Sequence, residues 1–409
     1  MLALWYISDF RRLWLGQLAS VLGTWLLVVA APLYVFDLTG SSAATGGTFI
    51  AETLPALVVG PAAGVLVDRL DRRRVMIGAE LVRAAAVLSM LFVTGRSLLW
   101  VLYAALLAEN AAAQFFRPAR QALIPALLGT QVLLPQANAM FWMIDGLVRL
   151  LGSVLGGALY LAIGFPGLVL ANAASYLASA YACHRLDHRP GRHPQPARIT
   201  VGRARAELRA ALSHIQETPT LRRLLWATGV FYLANGVVTA LLVPYARTAL
   251  HVGPAAFGYL LAALGAGYVV GTLSARRVIA RLSALGAVMG SVPLVAACYL
   301  LAFQPQTYPT ALIGFAAAGA PAVVLLVAVQ TECQIRTPDA LLGRVTAVYL
   351  TVEMLVSVTG AALGSVLADR VGVLSMIDLA LLVLGALGVT LPQPAPSRRP
   401  VPRRSRTAA

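Results

Sequence analysis

Long apolar blocks separated by short polar turns run from residue 13 to residue 391. A helix that crosses the hydrocarbon core of a bilayer needs about 20 mostly apolar residues. Twelve windows meet that need: 13–36, 45–67, 75–94, 98–116, 136–162, 166–184, 222–243, 255–275, 284–303, 309–330, 344–368 and 371–391. Backbone groups in hydrocarbon must find their partners within the segment, so each window predicts a helix. The expected fold is an all-α membrane protein with twelve transmembrane helices. The one long polar break, residues 185–221, holds a segment from Thr200 to Thr218 with helical periodicity. Val201, Ala204, Leu208, Leu212 and Ile215 share one face and Arg203, Arg205 and Arg209 lie elsewhere, which predicts an interfacial helix or a lid under the bundle.

The break divides the chain into a six-helix half over 1–184, a linker over 185–221 and a second six-helix half over 222–391. Residues 392–409 form a tail rich in proline and arginine, expected to be disordered and to touch anionic lipid. The halves resemble each other. Gly60, Gly64, Leu66 and Arg69 recur 207 residues later as Gly267, Gly271, Leu273 and Arg276. Leu133, Leu134, Ala139, Leu147, Val148, Gly152, Leu155 and Gly156 recur 208 residues later, from Leu341 to Gly364. Leucine and alanine matches mean little in an apolar chain; glycine pairs at a constant offset imply a repeat.

Composition removes the main rival. The formal charge is +16, which on its own invites a nucleic-acid partner. Yet charged residues are only 12% of the chain, and the arginines sit between apolar blocks rather than on a soluble face. Only Arg96, Arg247 and Arg370 fall on one side of the membrane, and Arg83 and Arg149 fall inside windows; the rest crowd the other side. That bias places both termini in the cytoplasm. Cys183, Cys298 and Cys333 have no metal spacing, so no metal site is expected. There is no lysine, and hence no phosphate-binding loop of the Gly-x-x-x-x-Gly-Lys type, so neither a nucleotide cofactor nor ATP-driven transport is expected.

Between the second and third windows stands Gly64-Val-Leu-Val-Asp68-Arg69-Leu-Asp71-Arg72-Arg73-Arg74. It resembles the loop signature of the major facilitator superfamily, Gly-x-Leu-x-Asp-Arg-x-Gly-Arg-Arg, with Asp71 in place of glycine. Four further phrases are similar to the branch of enterobactin-type siderophore and macrolide exporters: Phe10 to Gln17, Phe36 to Ser41, Phe116 to Arg120, and Pro338 with Leu342 to Val345. That branch often has an acid after the first-helix glycine, where Thr24 follows Gly23 here. Gly152-Ser153-Val154-Leu155-Gly156-Gly157 resembles the antiporter signature Gly-Pro-x-x-Gly-Gly, with Ser153 in place of proline; small residues four apart also let helices pack closely. The resemblance implies two pseudo-symmetric halves around a central cavity, in a monomer in the bacterial inner membrane. It implies efflux of an amphipathic small molecule such as a drug, macrolide or siderophore, driven by protons. An uptake symporter and a non-transporting scaffold or sensor of the same fold are the alternatives.

Ionisable groups inside a membrane are costly and usually functional. Glu80 and Arg83 are three apart and read as a local structural pair. Asp378, toward the outer half of the last window, reads as reaching water. Glu52 reads evenly as a solvated pathway residue and a binding residue. Glu109 lies deep in its window beside Asn110 and reads as functional. Asp145 and Arg149, one turn apart, read as an ion pair with function a close second. Glu353 is the repeat mate of Asp145, but the mate of Arg149 is Ser357, so Glu353 lacks that local cation and is the first choice as proton carrier, ahead of Glu109. Trp25, Tyr34, Phe141, Trp142, Phe231, Tyr232 and Tyr349 suit a cavity wall or ordinary packing equally well.

The loop resemblance implies a gate in which Asp68 holds the start of the eleventh window, Gly343-Arg344, when the cytoplasmic side is closed; a carboxylate is favoured at a helix amino terminus. The second half has Ala275 at the position of Asp68, so the expected lock is one-sided. Asp68→Asn should shift the population toward inward-open, raising labelling of cavity cysteines from the cytoplasm. Equal labelling in wild type and variant would remove the lock.

Overall fold

The computed structural model describes residues 2–67, 70–128, 133–187 and 201–390. Its helices are α1 (Leu2–Trp5), α2 (Ser8–Thr39), α3 (Ser42–Val58), α4 (Gly60–Val67), α5 (Arg72–Ser89), α6 (Leu99–Leu128), α7 (Leu134–His184), α8 (Val201–Glu217), α9 (Pro219–Thr248), α10 (Pro254–Leu282), α11 (Ala284–Phe303), α12 (Tyr308–Arg336), α13 (Asp339–Val371) and α14 (Val373–Thr390). There is no strand among the described residues. Nine helices among the described residues are long and apolar enough to cross a bilayer, and Val373–Ala386 is a shorter apolar stretch. The second window is shared between α3 and α4, which part at Val59, four residues after Pro55. The fifth and sixth windows are joined in α7, which turns at Gly164 with φ 68° and Pro166 just beyond. Glycine takes that backbone conformation without steric cost.

Two bundles form. In the first, α2 lies along α7, and α5 packs on α6 and α7; in the second, α12 packs on α10 and α11, and α13 on α9. The bundles meet where α7 touches α10 and where α3 touches α13. Glycines set these distances. A Cβ on Gly152 or Gly156 would stand 2.9 and 3.0 Å from the Cβ atoms of Trp25 and Val29 on α2. Their repeat mates Gly360 and Gly364 face α9 in the same way, at Leu233 and Val237. Gly157 instead faces across the bundles: its Cβ would lie 2.2 Å from the Pro254 carbonyl oxygen, and one on Gly46 would lie 2.4 Å from the Ser365 side chain. Gly157 and Ser365 are 208 residues apart, as are Gly46 and Pro254, so the two contacts exchange under the repeat.

Both contacts lie in the half of the bundle away from the amino terminus. Val29, Leu33 and Phe36, from the far part of α2, join the core of the second bundle. The amino-terminal part of α2, with Phe10, Leu13 and Trp14, packs inside its own bundle. The segment α8 packs on α13 and α9, through only part of the face its periodicity predicts. Ala211 and Ile215 are buried, whereas Leu208 and Leu212 are exposed. The tail, and residues 188–200 of the linker, lie outside the described residues.

Close helix approach makes a defined prediction. A Cβ on Gly236 would meet the Ser357 carbonyl oxygen at 2.1 Å, so Gly236→Ala must part α9 from α13. Overpacking of this kind costs about 1–3 kcal/mol. Gly78 has nothing within 4 Å, and Gly78→Ala should gain about 1 kcal/mol of helix propensity. Thermal unfolding in detergent should fall for the first and hold or rise for the second; equal shifts would contradict the packing.

Candidate functional site

The site begins with Asp71, whose side chain caps α5 by accepting from the Arg73 and Arg74 amides at 2.9 and 3.2 Å. Arg72 then donates to the Ala122 carbonyl near the end of α6, at 2.7 Å, and Arg73 to the Cys183 and His184 carbonyls at the end of α7. Arg73 thus sits at the carboxyl terminus of α7, where carbonyls lack partners and a cation is favoured. These ties fix the start of α5 against two neighbours, and so fix what α5 carries deeper in. At 1.5 Å per residue, Arg83 stands about 16 Å along α5, near the middle of a bilayer. Glu109 on α6 and Tyr176 on α7 stand at similar depth.

Glu80, Arg83 and Glu109 are all buried. Arg83 pairs with Glu80 at 3.2 Å and with Glu109 at 3.7 Å. It also donates to Thr24 Oγ1 at 3.0 Å and to Tyr176 Oη at 2.9 Å. The Tyr176 hydroxyl donates to Glu109. Ser20 and Ser179 donate to Glu80 at 3.1 and 2.7 Å. A buried ion costs several kcal/mol unless charge and hydrogen bonds compensate it. Glu80 has the closer cation and two hydroxyls; Glu109 has a more distant share of the same cation and one hydroxyl. Glu52 joins from α3, because Glu52 and Glu109 line one cavity of about 40 Å³ with Thr24 and Asn110. Thr24, Asn110 and Arg83 also line a larger cavity of about 510 Å³ that runs toward the amino-terminal face and ends near Gln121 and Ile124 of α6.

The opposite face is tied shut across the bundles. Asp369 of α13 caps α3: it accepts from Ser41 Oγ at 2.8 Å and from the Ser42 and Ala43 amides at 2.9 and 3.3 Å. Arg247 of α9 pairs with Asp37 of α2 at 2.7 Å, and Tyr160 donates to Asp37 at 3.1 Å.

The structure thus brings together Glu52, Glu109, Glu80 and Arg83. Glu353 lies apart on α13, where it accepts from Tyr232 of α9. Asp378 accepts from Gln304 at 2.6 Å. Arg344 is half-buried near the start of α13, and Gly64 lies within α4. Asp68 and Arg69 lie outside the described residues, as do the side chains of Asp145 and Arg149 on α7. Tyr176, Ser20 and Ser179 were not singled out from sequence; the available signal was a tyrosine inside an apolar window, whose hydroxyl needs a partner when buried. Trp25 and Phe141 do line the larger cavity.

A family model described as transmembrane secretion effector matches residues 2–403. The MFS-type transporter YfiS of Bacillus subtilis (strain 168), itself uncharacterised, is 29% identical over 397 residues, 91% of this chain and 88% of that one. The multidrug efflux pump Tap of Mycolicibacterium fortuitum is 28% identical over 394 residues, 92% of this chain and 94% of that one. Among solved structures, a bacterial homologue of the iron transporter ferroportin in its inward-facing state superposes with a TM-score of 0.74 at 14% identity, covering 94% of this chain and 98% of that one, which shows the fold.

Removing one partner of a buried ion cluster should be severe. Arg83→Gln leaves Glu80 and Glu109 without their cation and should cost about 3–5 kcal/mol. Adding Glu80→Gln removes one of the two uncompensated charges and should restore part of that loss. Thermal unfolding of the single and double variants checks this; a wild-type transition for Arg83→Gln would show that the cluster holds nothing together.

Proposed function

The chain belongs to the transmembrane secretion effector family of major facilitator transporters, and from that we propose that it exports an amphipathic small molecule in exchange for protons. It is a multi-pass membrane protein and not an enzyme. The arginine bias supports a cytoplasmic amino-terminal face, with both termini there. On that orientation the larger cavity opens to the cytoplasm while Asp369, Arg247 and the crossing glycines hold the outer face closed, which is the loading state of an exporter. Alternating access then moves one bundle against the other about the midplane site.

The observation that carries the coupling is the charge balance at that site. Glu52, Glu80 and Glu109 gather around one arginine, Arg83, which is closer to Glu80 than to Glu109. Excess negative charge in a low-dielectric interior is costly, and binding a proton removes it. Glu109 has the hydrogen-bonded route, through Tyr176 to Thr24 at 2.9 Å, and it shares a cavity with Glu52. We therefore place the exchanged proton on Glu109 and Glu52. Glu353, with its Tyr232 partner, stands second, which reverses the order expected from sequence. Arg72 and Arg73 act in the gate as the fixed base of α5 on this reading.

Expression in a pump-deficient host should lower accumulation of at least one compound from a panel of lipophilic cations, macrolides and siderophores, and a protonophore should abolish the difference. Unchanged accumulation across the panel would count against export. For the exported compound, Glu109→Gln should cut gradient-driven flux at least about tenfold, an energy of about 1.4 kcal/mol, and keep binding. Glu353→Gln should retain flux. The opposite pattern would return the proton to Glu353.

A further inference from the structure

The larger cavity carries a chemical signature of its own. Its volume of about 510 Å³ suits a drug-sized ligand. Three arginines line it, Arg83, Arg117 and Arg120, and no aspartate or glutamate does so among the described residues. The carboxylates of the buried cluster stand behind Arg83: Glu80 and Glu109 pair with it, and Glu109 and Glu52 open onto the separate small cavity instead.

Topology explains only part of this. Arg117 lies toward the amino-terminal end of the bundle, where arginines collect in any membrane protein of this orientation. Arg83, deep in α5, is not explained in that way. It is 7% exposed, four of its donor contacts go to Glu80, Ser20, Thr24 and Tyr176, and its Nε has no hydrogen-bond partner. These partners fix its guanidinium at the wall of the cavity. Arg120 is held in place rather than loose: it donates to Gln17 Oε1 at 2.7 Å, and its guanidinium lies 4.7 Å from the Phe141 ring centroid. A guanidinium fixed in this way presents a planar fork that matches carboxylate, sulfonate or phosphate oxygens. Trp25, Phe116 and Phe141 supply an aromatic wall for the rest of the ligand.

We infer that this cavity binds an organic anion with an aromatic or otherwise apolar body and, resting on the export reading above, that the exported cargo is of this class. A lipophilic cation of the same size meets the guanidinium groups of Arg117 and Arg120 there, while Arg83 is offset by Glu80 and Glu109 behind it. The anion oxygens lie against Arg120 and Arg83, and the apolar body lies along Trp25 and Phe116.

Two dyes with one ring system test this: fluorescein, an anion in alkaline buffer, and a rhodamine, its cationic counterpart. Binding is read by fluorescence polarisation on the purified full chain in neutral detergent. Fluorescein should bind saturably, and the rhodamine should not. Arg120→Gln should weaken fluorescein at least about tenfold, which is about 1.4 kcal/mol. Arg120→Lys, which keeps the charge, should weaken it less, and both variants should unfold at the wild-type temperature to within a few degrees. Saturable rhodamine binding as tight as that of fluorescein, or fluorescein affinity unchanged in Arg120→Gln, would overturn the anion site. Efflux is then followed in cells loaded with either dye. Fluorescein that binds through Arg120 but is not exported would leave the anion site standing and overturn the export reading instead.

Discussion

One guanidinium organises the first bundle. Arg83 sits near the bilayer midplane, where an unpaired charge is hard to sustain, and it is held by partners from α2, α5, α6 and α7 at once. Each partner helix is fixed in turn. The capped start of α5 and the ties of Arg72 and Arg73 set how far along the bundle Arg83 stands. Four helices of one bundle therefore share a polar centre that cannot be dismantled piece by piece. Among the described residues the second bundle has no such ion cluster. Neither 207 nor 208 positions beyond Glu80, Arg83 or Glu109 does the chain carry a charged residue, and the region is filled by side chains such as Val288 and Leu384. The repeat preserved the packing and left the ionic chemistry on one side.

The closed face is built from terms of different strength. Close glycine contacts bring backbone against backbone between α7 and α10, and α3 backbone against the Ser365 side chain of α13. The polar ties at the rim are partly exposed, with Arg247 and Asp37 at 22% and 38%, and pairs of that kind contribute about 0–1 kcal/mol. Such a closure can be undone without passing through an unfolded intermediate. A shift of a few kcal/mol is enough to change which conformation is populated. Neutralising charge in the cluster beneath it is a change of that size, because burying one uncompensated ion costs several kcal/mol.

Helical windows, the glycine repeat and the loop phrase were legible because each is a local pattern in sequence. The turn inside α7 was legible only as a gap between two windows, since a single glycine at positive φ leaves little trace. On α8 the periodicity gives a stripe but not which part of it meets the bundle: Ile215 goes inward with Ala211 beside it, and Leu208 and Leu212 stay exposed. Glu80 and Arg83 look self-sufficient as neighbours on one helix, and the sequence reading stopped there. Their reach to Glu109 and Tyr176 depends on how three helices cross, which residue spacing does not encode. Asp369 is a similar case, because a cap supplied by a helix more than three hundred residues away has no local signature.

The central claim is that the exchanged proton resides on the cluster of the first bundle, at Glu109 with Glu52. Infrared difference spectra of the purified protein between alkaline and acidic buffer report it directly, through the carbonyl stretch of a protonated carboxylic acid in a dry environment. The account predicts such a band in wild type and in Glu353→Gln, and its loss or halving in Glu109→Gln. A band that survives intact in Glu109→Gln and disappears in Glu353→Gln would contradict it.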